Sequence, residues 1–89
     1  MMKSIQINIY GKVQDVGFRY STLQKANELG IKGFVKNRSD GSVYIEAEGE
    51  SETLDKFVLW CYRGPSRAEV KEVKTDEIQF NNYKKFVIK

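Results

Sequence analysis

Two glycines and an arginine lie close together near the start of the chain, between an alternating segment and a helical one. Gly11 and Gly17 bracket a short loop, and Arg19 follows where the helical pattern approaches. Backbone N–H groups at a helix N-terminus lack partners in the helix, and glycine allows the backbone angles that direct several of them at one anion. Arginine adds a planar, permanently charged fork that matches two phosphate oxygens. The loop therefore predicts a site for a phosphoryl group, although a plain turn followed by a solvated arginine has the same glycine spacing.

Composition limits the chemistry that this loop can support. The 89 residues include one cysteine and no histidine, so the commonest general base and the commonest metal ligand are missing. The carboxylates are scattered, and no pair is spaced for acid–base catalysis or for a metal. A net charge of +3 suits an anionic ligand but does not require one. We expect neither a metal nor another cofactor.

The elements that position the loop follow from the spacing of apolar residues. Alternation predicts strands, and apolar residues at intervals of three and four predict two amphipathic helices. Ser51 is expected to be the N-cap of the second helix, and Asp40-Gly41 predicts a tight turn. Val70 and Val73 are out of phase, which indicates a β-bulge. The predicted strands are 5–10, 31–37, 43–48, 70–80 and 83–88, and the predicted helices are about 20–29 and 52–63.

The order of these elements is β-α-β-β-α-β followed by a short C-terminal strand. Two helices with one apolar stripe each are expected to pack on one face of an antiparallel sheet, which is the ferredoxin-like split βαβ arrangement of the α+β class. One domain is expected over 1–89, because the chain has room for one core. Pairing of the strands does not follow from the pattern, and many unrelated functions share this fold.

The cellular setting is predicted from what the sequence lacks. No apolar segment fits a signal peptide or a membrane span, and the single Cys61 cannot form an internal disulfide. We therefore expect a cytoplasmic protein without a membrane partner, and a monomer is the simplest expectation. Cys61 lies on the apolar stripe of the second helix and is expected to be an inert core thiol. Trp60 and Tyr62 lie off that stripe and are interpreted as packing at the edge of the core.

Several segments resemble the signature sequences of the acylphosphatases. The run Gly-Lys-Val-Gln-Asp-Val-Gly-Phe-Arg from Gly11 to Arg19 is similar to the family's G-x-V-Q-G-V-x-F-R. Gly33-Phe-Val-Lys-Asn37 with Asp40-Gly-Ser-Val43 is similar to G-[WFY]-V-x-N-x-x-D-G-x-V, and Gly64-Pro65 with Ala68-x-Val70 is similar to G-P-x-x-A-x-V. The resemblance covers nearly the whole chain, with the family's usual length and order of elements.

The resemblance implies an enzyme that hydrolyses carboxyl-phosphate anhydrides to a carboxylate and inorganic phosphate. It implies that Arg19 binds the phosphoryl group and that Asn37 positions the attacking water. The implied cradle is the loop backbone, with the amides of Asp15, Val16, Gly17, Phe18 and Arg19. Such chemistry fits a chain without histidine, because an acyl phosphate has a good leaving group and needs mainly positioning and charge neutralisation. The implied partners are a small-molecule acyl phosphate and inorganic phosphate, and no nucleic acid.

Asp15 departs from the family pattern, because it stands where the signature has its middle glycine. Aspartate is among the few non-glycine residues that adopt left-handed backbone angles, so the shape of the loop is expected to survive. A carboxylate about 6 Å from a phosphoryl charge would cost about 3 kcal/mol at an effective dielectric constant of about 20. We expect Asp15 to face solvent, so that screening leaves only a modest weakening of phosphate binding.

Two other functions remain open at this stage. An acylphosphatase-like domain could serve as a phosphate-binding or regulatory module without catalysis. An RNA-binding module shares the element order, but Glu46 and Glu48 on the third strand would repel phosphates. Tyr44, Glu46 and Glu48 share one strand face with Lys32, Phe34 and Lys36 of the neighbouring strand. That face could be an exposed binding surface, but the solvated side of the sheet is the preferred interpretation.

Overall fold

Five strands and two helices occur in the predicted order, and the computed structural model describes all of residues 1–89. Neither helix is long and apolar enough to cross a membrane. The elements are β1 (Met2–Lys12), α1 (Phe18–Leu29), β2 (Lys32–Asn37), β3 (Val43–Glu50), α2 (Ser51–Arg63), β4 (Glu69–Ile78) and β5 (Phe86–Ile88).

The strands form one sheet in the order β4-β1-β3-β2-β5. All neighbouring pairs are antiparallel except β2 and β5, which run parallel. Alternate residues of the central strands β1 and β3 join one buried apolar cluster with Phe18 and Ala26 of α1 and with Phe57 of α2. Because both helices contribute to this single core, they lie on the same face of the sheet, and the ferredoxin-like prediction is confirmed.

Two helix starts differ from their predicted positions. Helix α1 begins at Phe18 rather than near Tyr20, because Gly17 is its N-cap in a left-handed conformation with φ of 78°. Helix α2 begins at Ser51, so the prediction that Ser51 is the N-cap is wrong. The N-cap is Glu50, whose side chain makes no capping hydrogen bond. Strand β3 continues into the helix without a turn, and the backbone N–H of Ser51 donates to the carbonyl of Met1 at 3.0 Å.

The predicted bulge lies where β1 approaches the loop. Tyr10 pairs with Glu72 and Gly11 pairs with Val70, so β4 has one extra residue at this point. A Cβ atom on Gly11 would lie 2.2 Å from the carbonyl oxygen of Glu69, which excludes any side chain there. The register of β1 against β4 thus fixes where the loop after β1 begins.

The other face of the sheet is not the solvated surface that we expected. The side chain of Glu48 is 1% exposed, and its carboxylate accepts hydrogen bonds from the backbone N–H groups of Asn81 and Tyr83. Phe34 and Tyr44 are 6% and 7% exposed. Residues 79–85 cross this face on their way to β5, which is why β5 begins at Phe86 rather than at residue 83. The alternation of residues within a strand does not predict that a segment distant in the sequence will cover one face of the sheet.

Candidate active site

The loop between β1 and α1 takes its shape from left-handed residues. Asp15 has φ of 62° and Gly17 has φ of 78°. The neighbouring side chains of Val13 and Val16 are buried in the core, and they hold the loop against the sheet. No atom lies within 4 Å of the position of a Cβ on Gly17, so this glycine is needed for its backbone angle and not for space.

The backbone N–H groups of this loop are free to bind an anion. None of those from Asp15 to Arg19 donates a hydrogen bond to another group of the chain. Those of Phe18 and Arg19 belong to the first turn of α1, where the helix itself supplies no acceptor. The positive end of the helix dipole points in the same direction, so a negatively charged group is stabilised here.

A cleft of about 250 Å³ opens at this loop. It brings together the two residues that the resemblance placed in the site, Arg19 from α1 and Asn37 from the end of β2. Val16 does not line it, although the backbone N–H of Val16 belongs to the loop. The residues that line the cleft are Val13, Gln14, Asp15, Gly17, Phe18, Arg19, Tyr20, Asn37 and Ile88.

The two polar side chains at the cleft have no partners within the protein. Arg19 is exposed and takes part in none of the ion pairs of the chain. Asn37 is half-buried at the C-terminal end of β2, where its backbone pairs with Val43 of β3. An unpaired guanidinium and an amide on one cleft can bind phosphoryl oxygens and a water molecule respectively.

Gln14 connects the loop to the β2–β3 turn, a role that sequence reasoning missed. Its side-chain amide donates to the carbonyl of Arg38 at 2.8 Å and to the carbonyl of Ser42 at 2.9 Å. These two carbonyls lie on either side of the turn that follows Asn37. Gln14 belongs to the run that resembles the family signature. Its acceptors are backbone carbonyls of a distant segment, so the sequence around Gln14 does not predict these hydrogen bonds.

The turn after Asn37 is itself fixed by local hydrogen bonds. Asp40 Oδ1 accepts from the backbone N–H of Ser42 at 2.9 Å and from its hydroxyl at 2.5 Å. These bonds to Ser42, the side-chain bond first, lower the pKa of Asp40 below its ordinary value. Gly41 has φ of 91°, as the predicted Asp-Gly turn requires. The end of β2, and Asn37 with it, is held in one position.

Asp15 keeps the loop shape that the family's glycine would give, because its backbone is left-handed. Its side chain is exposed, as expected, and it also lines the cleft. The carboxylate therefore lies where a bound phosphoryl group would feel it through solvent.

The aromatic and thiol side chains of α2 lie outside the cleft. Trp60 packs against the core, with its ring centroid 5.6 Å from that of Phe18. Tyr62 is exposed rather than packed at the core edge, which corrects the sequence interpretation. Cys61 is fully buried, and burial raises the pKa of its thiol. An inert thiol was the expectation.

Comparison with known proteins identifies the family of the chain. The acylphosphatase family model matches residues 5–88. An acylphosphatase of Archaeoglobus fulgidus is 48% identical over 87 residues, covering 98% of each chain. The structure of an acylphosphatase from Coxiella burnetii superposes with a TM-score of 0.96 at 38% identity, covering 99% of this chain and 93% of that one. For the Bacillus subtilis acylphosphatase the TM-score is 0.94 at 35% identity, covering 99% and 98%. The chain therefore belongs to the acylphosphatase family and is an enzyme that hydrolyses acyl phosphates.

Proposed function

We propose that Arg19 and the backbone amides from Asp15 to Arg19 bind the phosphoryl group of an acyl phosphate, and that Asn37 positions the water that attacks it. The observation that carries this assignment is the single cleft on which unpaired N–H groups, an unpaired guanidinium and an unpaired side-chain amide meet. Among the remaining cleft residues, only the carboxylate of Asp15 and the hydroxyl of Tyr20 offer a nucleophile or a base, and both residues are exposed.

The reaction needs little from the protein beyond placement and charge. The water oxygen attacks phosphorus while the bond between phosphorus and the carboxyl oxygen breaks, and the carboxylate leaves with the bonding electron pair. The water's protons pass to the phosphate product and to solvent. Arg19 and the loop amides stabilise the negative charge that is spread over the phosphoryl oxygens in the transition state. Asn37 holds the water through its carbonyl oxygen or N–H₂ group, which lowers the entropic cost of attack.

The test is the hydrolysis of benzoyl phosphate by the wild type and by Arg19→Ala and Asn37→Ala. We expect both substitutions to lower kcat/KM by at least about a hundredfold, the effect of removing a preorganised charge-stabilising or positioning group. Inhibition by inorganic phosphate separates the two roles, since only Arg19→Ala should strongly weaken it. Arg67→Ala and Asn27→Ala are matched controls, because both residues are exposed and lie outside the cleft.

The assignment of roles fails if Arg19→Ala retains phosphate inhibition or if Asn37→Ala retains turnover. A wild type no faster than buffer would favour the phosphate-binding module instead of an enzyme.

We also propose that the protein acts as a cytoplasmic monomer. A lone buried thiol supports a reducing compartment, and a cleft built from one chain needs no second copy.

A further inference from the structure

The cleft has a polar end and an apolar end. Val13 and Phe18 line it but are only 1% and 2% exposed, so they offer a ligand almost no surface. Tyr20 is 61% exposed and Ile88 is 40% exposed. The apolar surface that a bound molecule can cover therefore comes from these two side chains, and both are unusually exposed for their size.

Tyr20 and Ile88 approach the cleft from different elements. Tyr20 follows Arg19 in the first turn of α1, and its hydroxyl accepts a hydrogen bond of 3.3 Å from the side chain of Gln24 one turn later. Ile88 pairs with Val35 in the parallel β2–β5 ladder, and the next residue's N–H donates to the Val35 carbonyl at 2.9 Å. Both side chains are thus attached to regular secondary structure.

We propose that Tyr20 and Ile88 form the subsite for the acyl group and make the enzyme prefer acyl phosphates with an apolar, above all aromatic, acyl group. This inference rests on the proposed function, in which the phosphoryl group occupies the loop amides and Arg19. The carboxyl oxygen that leaves is bonded to that phosphorus, so the acyl group extends from the phosphoryl site, where Tyr20 and Ile88 are the exposed apolar side chains of the same cleft. An apolar acyl group there covers the ring of Tyr20 and the side chain of Ile88, whereas an acetyl group is too small to cover both.

The experiment compares benzoyl phosphate with acetyl phosphate, which contain the same scissile bond and differ in the apolar area of the acyl group. Tyr20→Ala is expected to lower the ratio of kcat/KM for benzoyl phosphate to kcat/KM for acetyl phosphate by about two- to tenfold, the range that one aromatic contact supplies. Ile88→Ala should lower the ratio in the same direction, and Tyr20→Phe should retain it because the ring remains. The inhibition constant of inorganic phosphate should stay unchanged in all three variants, since phosphate has no acyl group.

Tyr62→Ala is the matched control, because Tyr62 is a tyrosine that is 56% exposed on the other helix and does not line the cleft. An unchanged ratio in Tyr20→Ala, with or without an equal loss on both substrates, would overturn the acyl subsite. The proposed function would still stand as long as turnover requires Arg19. A wild type that hydrolyses neither substrate would overturn the proposed function and the subsite together.

Discussion

Gln14 donates a hydrogen bond of 2.8 Å to the backbone carbonyl of Arg38, across a separation of 24 residues. With a second bond to Ser42, it joins the loop between β1 and α1 to the turn that begins just after Asn37. Gln14 thus links the proposed phosphoryl cradle directly to the segment that follows Asn37, the proposed water-positioning residue.

Gln14→Ala removes both hydrogen bonds and is expected to lower the free energy of unfolding by about 1–3 kcal/mol. It should lower kcat more than it weakens inhibition by inorganic phosphate, because the loop amides and Arg19 remain while Asn37 loses its fixed distance from them. Urea denaturation and steady-state kinetics with benzoyl phosphate measure the two effects. Gln79→Ala is the control, since Gln79 is exposed and its side chain makes no hydrogen bond. A variant with normal kcat would show that the turn holds Asn37 without Gln14.

Asp15→Asn and Asp15→Gly test the effect of the carboxylate at the position where the chain differs from the family signature. Neither substitution is expected to change the conformation of the backbone. Both remove the carboxylate at the cleft, and both residue types tolerate the left-handed angle. We expect each to lower the inhibition constant of inorganic phosphate by about two- to fivefold at low salt, and the gain should shrink as salt is added. Asp76→Asn, a neutralisation on β4 away from the cleft, controls for net charge. If neither Asp15 variant binds phosphate more tightly, the carboxylate does not weaken the site.

Tyr44 and Tyr83 both donate their hydroxyl protons to Glu46, each at 2.6 Å. Burial first, and then these hydrogen bonds, raise the pKa of both phenols from 10.0 to about 12. Between these values the unfolded chain releases the two protons and the native chain keeps them, so the free energy of unfolding should be fully retained below about pH 10 and fall as pH rises to about 12.

Urea denaturation at several values of pH from about 9 to 12 measures this loss. Tyr83→Phe has one fewer phenol to titrate, so its stability should fall less steeply over the same range, although it is less stable at neutral pH. Equal slopes for the wild type and Tyr83→Phe would contradict the assignment of Tyr83.

Cys61 should be unreactive in the native protein. Its side chain is fully buried and burial raises the pKa of its thiol, so both access and thiolate formation are suppressed. Ellman's reagent is expected to modify one thiol per chain only as the protein unfolds, at a rate that follows the unfolded fraction in urea. Rapid modification without urea would show that α2 opens locally at that position.

Strand and helix types were predictable because their cause is local. Ile5, Ile7 and Ile9 alternate in the sequence and are buried in the structure. Boundaries were less accurate where the deciding contact is distant in the sequence, as for Ser51, whose N–H donates to the carbonyl of Met1 at the start of the chain. Residues 79–85, which cover Glu48, are also distant from it in the sequence. The alternation within β3 therefore predicted a carboxylate exposed to solvent.

At the cleft, Arg19 and Asn37 were predictable only because the sequences around them resemble a family signature. Spacing alone supported an anion site at the loop and nothing more specific. Gln14 and Ile88 were not predicted as parts of the site. The partners of Gln14 are backbone carbonyls, which every residue has, and Ile88 reaches the cleft through a parallel pairing of β5 with β2 that the order of elements does not specify.

The two ends of the cleft are attached to parts of the sheet that differ in how firmly they are held. The phosphate loop follows β1, which is paired on both sides over most of its length, whereas Ile88 belongs to a strand of three residues at the sheet edge. Edge segments with few pairings open at lower free-energy cost than central strands. The proposed acyl end of the cleft is therefore held less firmly than the proposed phosphoryl end, so the preference for apolar acyl groups should be weaker than the requirement for a phosphoryl group.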